Sequence, residues 1–396
     1  MKKELRFLNY ILYSIAFYMV LPNSIKEIPF ALLGLISILF FIRERQIDGK
    51  IFFMLSSFFA ISVISLLYTA DIKYGLNRIE GLLPLLYITF SYAVFSKMKI
   101  RFEKEFVRNW IVLFNTASFL FLVVFSCYFY FQKLELNYNN IRTALDEIPL
   151  IGMHPIYVSI TAVLGILTCV YGFRGAIKTS SFFIVTNLVL LVISGSRATF
   201  IGFLMLLFLW ILFSKIDKKA KFGLVSSSVI SLCLLFMLNT DFKIRFQEMI
   251  LPVSYSKVNP NNSTSVRYAV WSCSLEQIKK SNIVLGNGIG DVPTVLQSCY
   301  DAKYPDLGQY YNSHNQYFSI ILGSGLIGLI SLAGFFICLF VDGLKNKNKY
   351  LLIVITFYLY MFIFENIMER KYGILLLLFF MLYVFNLFPK MAEEKN

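Results

Sequence analysis

What most constrains this chain is a succession of apolar runs, most of them close to the about 20 residues a helix needs to cross a bilayer. Twelve are visible: 7–22, 27–42, 51–69, 81–96, 107–131, 153–173, 180–194, 198–214, 222–239, 316–341, 350–364 and 372–389. The second, seventh and eleventh are short, within what bilayer thinning accommodates. Backbone groups find no water at that depth, so runs of this kind must be helical. Composition agrees, with 58% hydrophobic and 15% charged residues against about half and a quarter in a soluble domain. The expected fold class is an all-α polytopic membrane protein of about 12 transmembrane helices. The first run lacks a small-residue cleavage site and ends in Leu21-Pro22-Asn23, so it is read as a span rather than a signal peptide.

A formal charge of +14 raises the question of nucleic acid. The Lys and Arg residues, however, lie in short clusters between the runs, which is an orientation signal. Membrane lipid is the expected partner, and nucleic acid is not. With the N-terminus inside, 22 of the 37 Lys and Arg residues fall on the cytoplasmic side. Of the 15 outside, seven lie in the long segment 240–315, which translocates regardless of charge. The short loops then divide 22 against 8, and both termini are expected in the cytoplasm. Residues 1–239 carry spans 1–9, 240–315 form one long outer helical segment, and 316–396 carry spans 10–12. No run holds a charge in its middle, which argues against an ion relay.

Several outer segments carry pattern of their own. After span 3, Ile72, Leu76, Ile79 and Leu83 recur at helical spacing, suggesting a separate helix lying in the interface. Ser263-Thr264-Ser265 is a candidate cap for a helix carrying Val266, Val270, Trp271, Leu275 and Ile278, ending near Gly286. Gly286-Asn287-Gly288-Ile289-Gly290 has no strand before it, so it reads as a turn rather than a nucleotide loop. Cys127, Cys169, Cys233 and Cys338 fall in spans as packing residues. Cys273 and Cys299 share the outer segment, where a disulfide and two free thiols are both open.

The polar residues concentrate at the mouths of spans. Asn312-Ser313-His314-Asn315-Gln316-Tyr317 places one of two histidines directly before span 10. His314 reads either as a structural residue bonded to a backbone carbonyl or as a general base. Arg197, in the tight turn Gly195-Ser196-Arg197, reads either as an interfacial arginine snorkelling to headgroups or as a fork for phosphate oxygens. Arg267 opens the outer helix and alone would be a surface residue. Segment 133–152 contains Arg142 and leads into His154-Pro155, and Glu365, Asn366, Glu369 and Arg370 follow span 11. Two histidines on different segments, with no Cys/His cluster, do not make a metal site. No nucleophile elbow is present either.

In combination these pieces resemble the O-antigen ligase and O-antigen polymerase family of bacterial membrane glycosyltransferases. The resemblance rests on Gly195-Ser196-Arg197, on Arg267 followed by Trp271 and a Leu-Gly-Asn-Gly-Ile-Gly turn, and on Ser313-His314-Asn315 before Gly323-Ser324-Gly325. Glu365-Asn366, Glu369-Arg370 and Gly373 complete it. It covers about 190–375; the first 150 residues match only as generic spans. The resemblance implies a GT-C-like helical fold in the bacterial inner membrane with its site facing the periplasm. It implies transfer of a glycan from an undecaprenyl-diphosphate carrier to a lipid A–core or glycan acceptor, without metal or other cofactor. His314 would be catalytic and Arg197 and Arg267 would bind the donor diphosphate, with Arg142, His154, Asn315, Glu365 and Arg370 in support. Ligase and polymerase both remain open, with ligase preferred. A transporter or flippase of lipid-linked glycans is the more distant rival, though it predicts paired halves and midplane polar groups that this chain lacks.

Overall fold

A computed structural model describes residues 2–172, 177–213, 247, 258–260, 262–308 and 311–388, and among these every element is helical. In order they are α1 (Lys2–Ala16), α2 (Ile28–Glu44), α3 (Gly49–Ile64), α4 (Ile72–Lys97), α5 (Lys104–Phe131), α6 (Tyr138–Glu147) and α7 (Pro155–Gly172). Then come α8 (Ile177–Ser194), α9 (Arg197–Phe213), α10 (Ser263–Lys280), α11 (Val292–Lys303), α12 (Gln316–Lys345), α13 (Lys349–Phe364) and α14 (Lys371–Phe379), the last continuing as a π-helix over Phe380–Leu387. Eleven expected spans fall on these helices. The run 222–239, Cys233 and most of 240–257 lie outside the described residues. Five helices are long and apolar enough to cross a membrane: Gly49–Tyr68, Ile72–Lys97, Lys104–Phe131, Pro155–Gly172 and Gln316–Lys345. They define a helical membrane protein; twelve spans is more than length and composition alone support.

The helices form a bundle whose interior is aromatic and whose flanks are apolar. Trp110 is fully buried, stacks on Phe114 at 5.3 Å and donates from Nε1 to the Leu12 carbonyl. Leu39, Phe53 and Ile330 stay exposed, as lipid-facing residues do. One end gathers the segments that charge counting assigned to a common side. There Asn23 N donates to Leu150 O, Lys371 reaches both Glu27 and Glu80, and Arg78 donates to Glu369 O. At the other end Arg43 pairs with Glu4, Asp48 N meets Ala93 O, and Asn386 meets Asp342.

Three local expectations are corrected. The separate interfacial helix after span 3 does not exist, because α4 runs unbroken from Ile72 through Pro84 to Lys97. Its 26 residues reach about 39 Å at about 1.5 Å each, longer than the roughly 30 Å apolar core. The amphipathic turns are thus the outer end of a span, with Ile72 and Leu76 exposed. Helix α10 is capped by Asn262, whose side chain accepts from Thr264 N and Ser265 N, rather than by the serines themselves. Its inner stripe includes Val266 and Val270, but Leu275 is exposed. The helix ends at Lys280, before the glycines.

The third correction concerns span 10, read as continuous. Helix α12 breaks at Gly325, whose φ of 65° is left-handed. The break aligns with the glycine turn, and the two exchange backbone hydrogen bonds. Asn287 N and Gly288 N donate to Leu322 O and Gly323 O, while Leu326 N and Ile327 N donate to Ile283 O and Val284 O. The turn's amides are therefore occupied in joining the outer segment to a membrane helix. From Leu326 to Lys345 about 20 residues remain, enough for a span. A disulfide between Cys273 and Cys299 ties α10 to α11. A Cβ at position 325 would lie 2.1 Å from Val284 O. Gly325→Ala should therefore lower the midpoint of thermal unfolding in detergent sharply, by several kcal/mol in stability. At Gly334 a Cβ meets nothing within 4 Å, so Gly334→Ala should be neutral or slightly stabilising.

Candidate active site

At the end where these loops meet, six segments enclose a polar chamber of about 290 Å³. Arg142 comes from α6, His154 from the turn before α7, Arg197 from the first turn of α9 and Arg267 from α10. His314 and Glu365 complete it from the segments before α12 and after α13. Three guanidinium groups and one carboxylate leave the chamber positive. Arg197 is held by its neighbours: Nη2 donates to Ser263 Oγ and to Thr264 Oγ1, the latter at 3.3 Å. The turn delivering it is fixed by Gly195 at φ 59° and by Ser196 Oγ, which accepts from Thr199 N.

His314 sits in an unusual backbone state, with φ 44°, a region His visits more readily than bulky residues do. Its N–H donates to Asn312 Oδ1 and its carbonyl accepts from Trp271 Nε1. Ser313 is fully buried, donates to Asn315 O and accepts from Asn366 Nδ2 at 3.1 Å. Gln316 Oε1 accepts from Met368 N at 2.7 Å. The 312–316 and 365–369 segments therefore interlock. Glu365 Oε2 lies 3.8 Å from His314 Nδ1, beyond hydrogen-bond reach but close enough for charge to act. Burial pushes the Glu365 carboxyl up, yet the neighbouring His314, Arg267 and His154 outweigh it and hold it below the ordinary carboxylate value.

The remaining supporting candidates are placed differently. Asn315 is buried and caps α12 by accepting from Phe318 N, so it does not line the chamber. Arg370 is exposed at the start of α14 and is not among the lining residues either. Beside the chamber, a second cleft of about 200 Å³ shares Arg197 and Arg267. Its other walls are Ile201, Trp271, Tyr360 and Phe364, from α9, α10 and α13. It is an apolar passage with a cationic head.

Sequence reasoning missed Arg78, whose Nη2 lies 3.6 Å from Glu369 Oε1 in a half-buried pair. The signal was present: Tyr74 and Arg78 are four residues apart, opposite the apolar stripe that was read as interfacial. Lys26 was missed as well. It is fully buried between the Tyr18 and Tyr372 rings, and burial brings its amine down to about 8. A lone lysine in a short loop carried no sequence signal.

Fold and site together define a polytopic helical membrane protein with an arginine- and histidine-lined chamber at one end of its bundle. Residues 182–333 match the family model described as O-antigen ligase. The match runs from α8 into α12 and includes Arg197, Arg267 and His314, but not Glu365 or Arg370. A search of curated proteins returns no match.

Burial, opposed in part by Glu365 and reinforced by Arg142 and Arg370, lowers the pKa of His154 from 6.5. The unfolded chain then takes up a proton that the folded chain refuses. Stability is complete above the ordinary value and falls as pH drops through it. Unfolding free energies measured from about pH 7.5 to 5.5 should decline by at most about 1.4 kcal/mol per unit from this group. The decline should be shallower in His154→Gln.

Proposed function

We propose that this chain is a membrane glycosyltransferase of the O-antigen ligase type. It moves a glycan from an undecaprenyl-diphosphate carrier to a hydroxyl of lipid A–core, on the periplasmic side of the bacterial inner membrane. The observation carrying this reading is the meeting of Arg197, Arg267 and His314, far apart in sequence, in one chamber. The apolar cleft past Ile201 and Tyr360 suits an isoprenoid chain entering sideways from the bilayer with its diphosphate between the two arginines. Guanidinium forks match phosphate oxygens and are prearranged for charge that develops as the diphosphate leaves.

In the proposed step an acceptor hydroxyl oxygen attacks the anomeric carbon of the donor glycan. The bond from that carbon to the diphosphate oxygen breaks, and the diphosphate departs with the electron pair. The hydroxyl proton passes to the unprotonated ring nitrogen of His314. Glu365, facing Nδ1, stabilises the imidazolium that forms. The positive charge this step requires comes from side chains, so the reaction runs without metal.

His314→Ala should retain folding and donor binding but lose about two to four orders of magnitude in transfer, measured with a purified lipid-linked donor. Arg197→Lys keeps charge but loses the bidentate fork, and should be impaired chiefly in donor use. EDTA should leave the wild type unchanged. Full activity in His314→Ala would remove the base, and sensitivity to EDTA would remove the metal-free step. In cells, deletion should leave bare core with polymer stranded on its carrier; core bearing a single repeat unit would make the enzyme a polymerase instead. Reporter fusions at Asn262 and Lys347 should score periplasmic and cytoplasmic respectively, and a common side would overturn the orientation.

A further inference from the structure

A further cavity, of about 220 Å³, is lined by Asn312 and Gln316, whereas His314 between them lines the arginine chamber. Tyr311 lines both this cavity and the arginine chamber, and its ring centroid is 6.3 Å from that of His314. The walls differ from those of the chamber in charge. Arg78 is the cavity's cation and Glu369 its anion, and the two are paired. The cavity is thus close to neutral and unsuited to a diphosphate.

Its polar groups are instead arranged for hydroxyls. The amide oxygens of Asn312 and Gln316 are committed to His314 N and Met368 N. Each amide nitrogen is left as a donor, and among the described residues neither has a partner; Gln316 is only 3% exposed. Glu369 Oε1 accepts from Ser319 and from Asn366, while its Oε2 accepts from no described residue. Two donors and one acceptor beside the Tyr74 and Tyr311 rings form a wall that can bond vicinal hydroxyls and face a sugar ring. Val292 and Leu296 of α11 roof the cavity, and the disulfide fixes that helix to α10. The volume falls below the about 300–1,000 Å³ of sites for drug-sized ligands, as expected for a single sugar residue.

We infer that this cavity is the subsite for the neutral terminal sugar of the acceptor, an assignment that rests on the transferase reading above. A single displacement needs the attacking oxygen opposite the leaving diphosphate. Asn312 and Gln316 line this cavity and His314, between them in sequence, lines the arginine chamber, so an acceptor sugar held here brings its hydroxyl to His314 from a wall the arginines do not occupy.

The test uses the full chain in nanodiscs, with undecaprenyl diphosphate present to fill the arginine chamber. Saturation-transfer NMR is recorded with glucose, galactose and N-acetylglucosamine in turn. At least one should give a signal in the wild type. That signal should fall at least fivefold in Gln316→Glu, which keeps the oxygen bonded to Met368 N but removes the donor, and in Val292→Trp, which fills the roof. Affinity for undecaprenyl diphosphate should stay within twofold in both. No signal from any of the three sugars, or a signal that persists in both variants, overturns the subsite. The transferase reading fails separately, if Arg197→Ala and Arg267→Ala bind undecaprenyl diphosphate as the wild type does.

Discussion

A membrane helix that is interrupted must find partners for the carbonyls and amides its break sets free, because the bilayer supplies none. In α12 the interruption at Gly325 solves this with the outer segment, whose Ile283–Gly288 stretch exchanges four backbone hydrogen bonds with Leu322–Ile327. The 285–291 part of this segment is also anchored to the residues just before α4. Asp291 accepts from Ala70 N and Asp71 N at 2.8 Å each, and Tyr68 donates to Leu285 O. The outer segment is therefore stitched into the bundle on two sides, and the disulfide extends the stitch to α10. Arg267 on α10 and the roof of the second cavity on α11 consequently keep fixed positions relative to His314, which lies just before α12. The break is small, but the geometry of the site depends on it.

The site separates two kinds of charge environment with one short segment. Tyr311 and His314 line a cationic chamber, while Tyr311, Asn312 and Gln316 line a near-neutral cavity. That arrangement needs a rigid segment, and the bonding supplies one. Asn312 and Trp271 hold the backbone of His314, Ser313 joins Asn366, and Gln316 joins Met368. A left-handed histidine persists only where its surroundings over-determine it, and every neighbour here contributes to that.

Much of this was legible in the sequence, and the reason is the bilayer. Apolar runs are long-range signals that survive without packing detail, so eleven of them coincide with helices, and alternating charge gathered the right loops at one end. Arg197 and His314 were singled out because each stands at a span mouth, whereas Arg267, alone a surface residue, was singled out only in combination with them. The break at Gly325 was not, since a glycine in an apolar run reads equally as close packing; only the facing carbonyls of the 283–288 turn distinguish the two. Arg78 was hidden for a related reason. Its apolar stripe drew the interpretation, and the pairing with Glu369 joins positions 291 residues apart. Asn315 and Arg370, which the resemblance put in support, do not line the chamber: Asn315 caps α12 and Arg370 is exposed at the start of α14.

Glu365 bears on how the proposed base would act. Its carboxylate is 8% exposed and held in its charged form against the cost of burial. A buried anion of this kind persists only where positive charge or donors face it, and Arg267 is the permanent charge among the groups that hold Glu365 ionised. The 3.8 Å gap to Nδ1 is of the loose kind that tightens when substrate binds. In the proposed complex, a donor diphosphate against Arg267 would neutralise part of that guanidinium's field, and Glu365 would lose some of its compensation. Drawing a proton onto His314 restores it. In the proposed reaction one carboxylate thus links the guanidinium that would meet the donor to the imidazole that would take the proton.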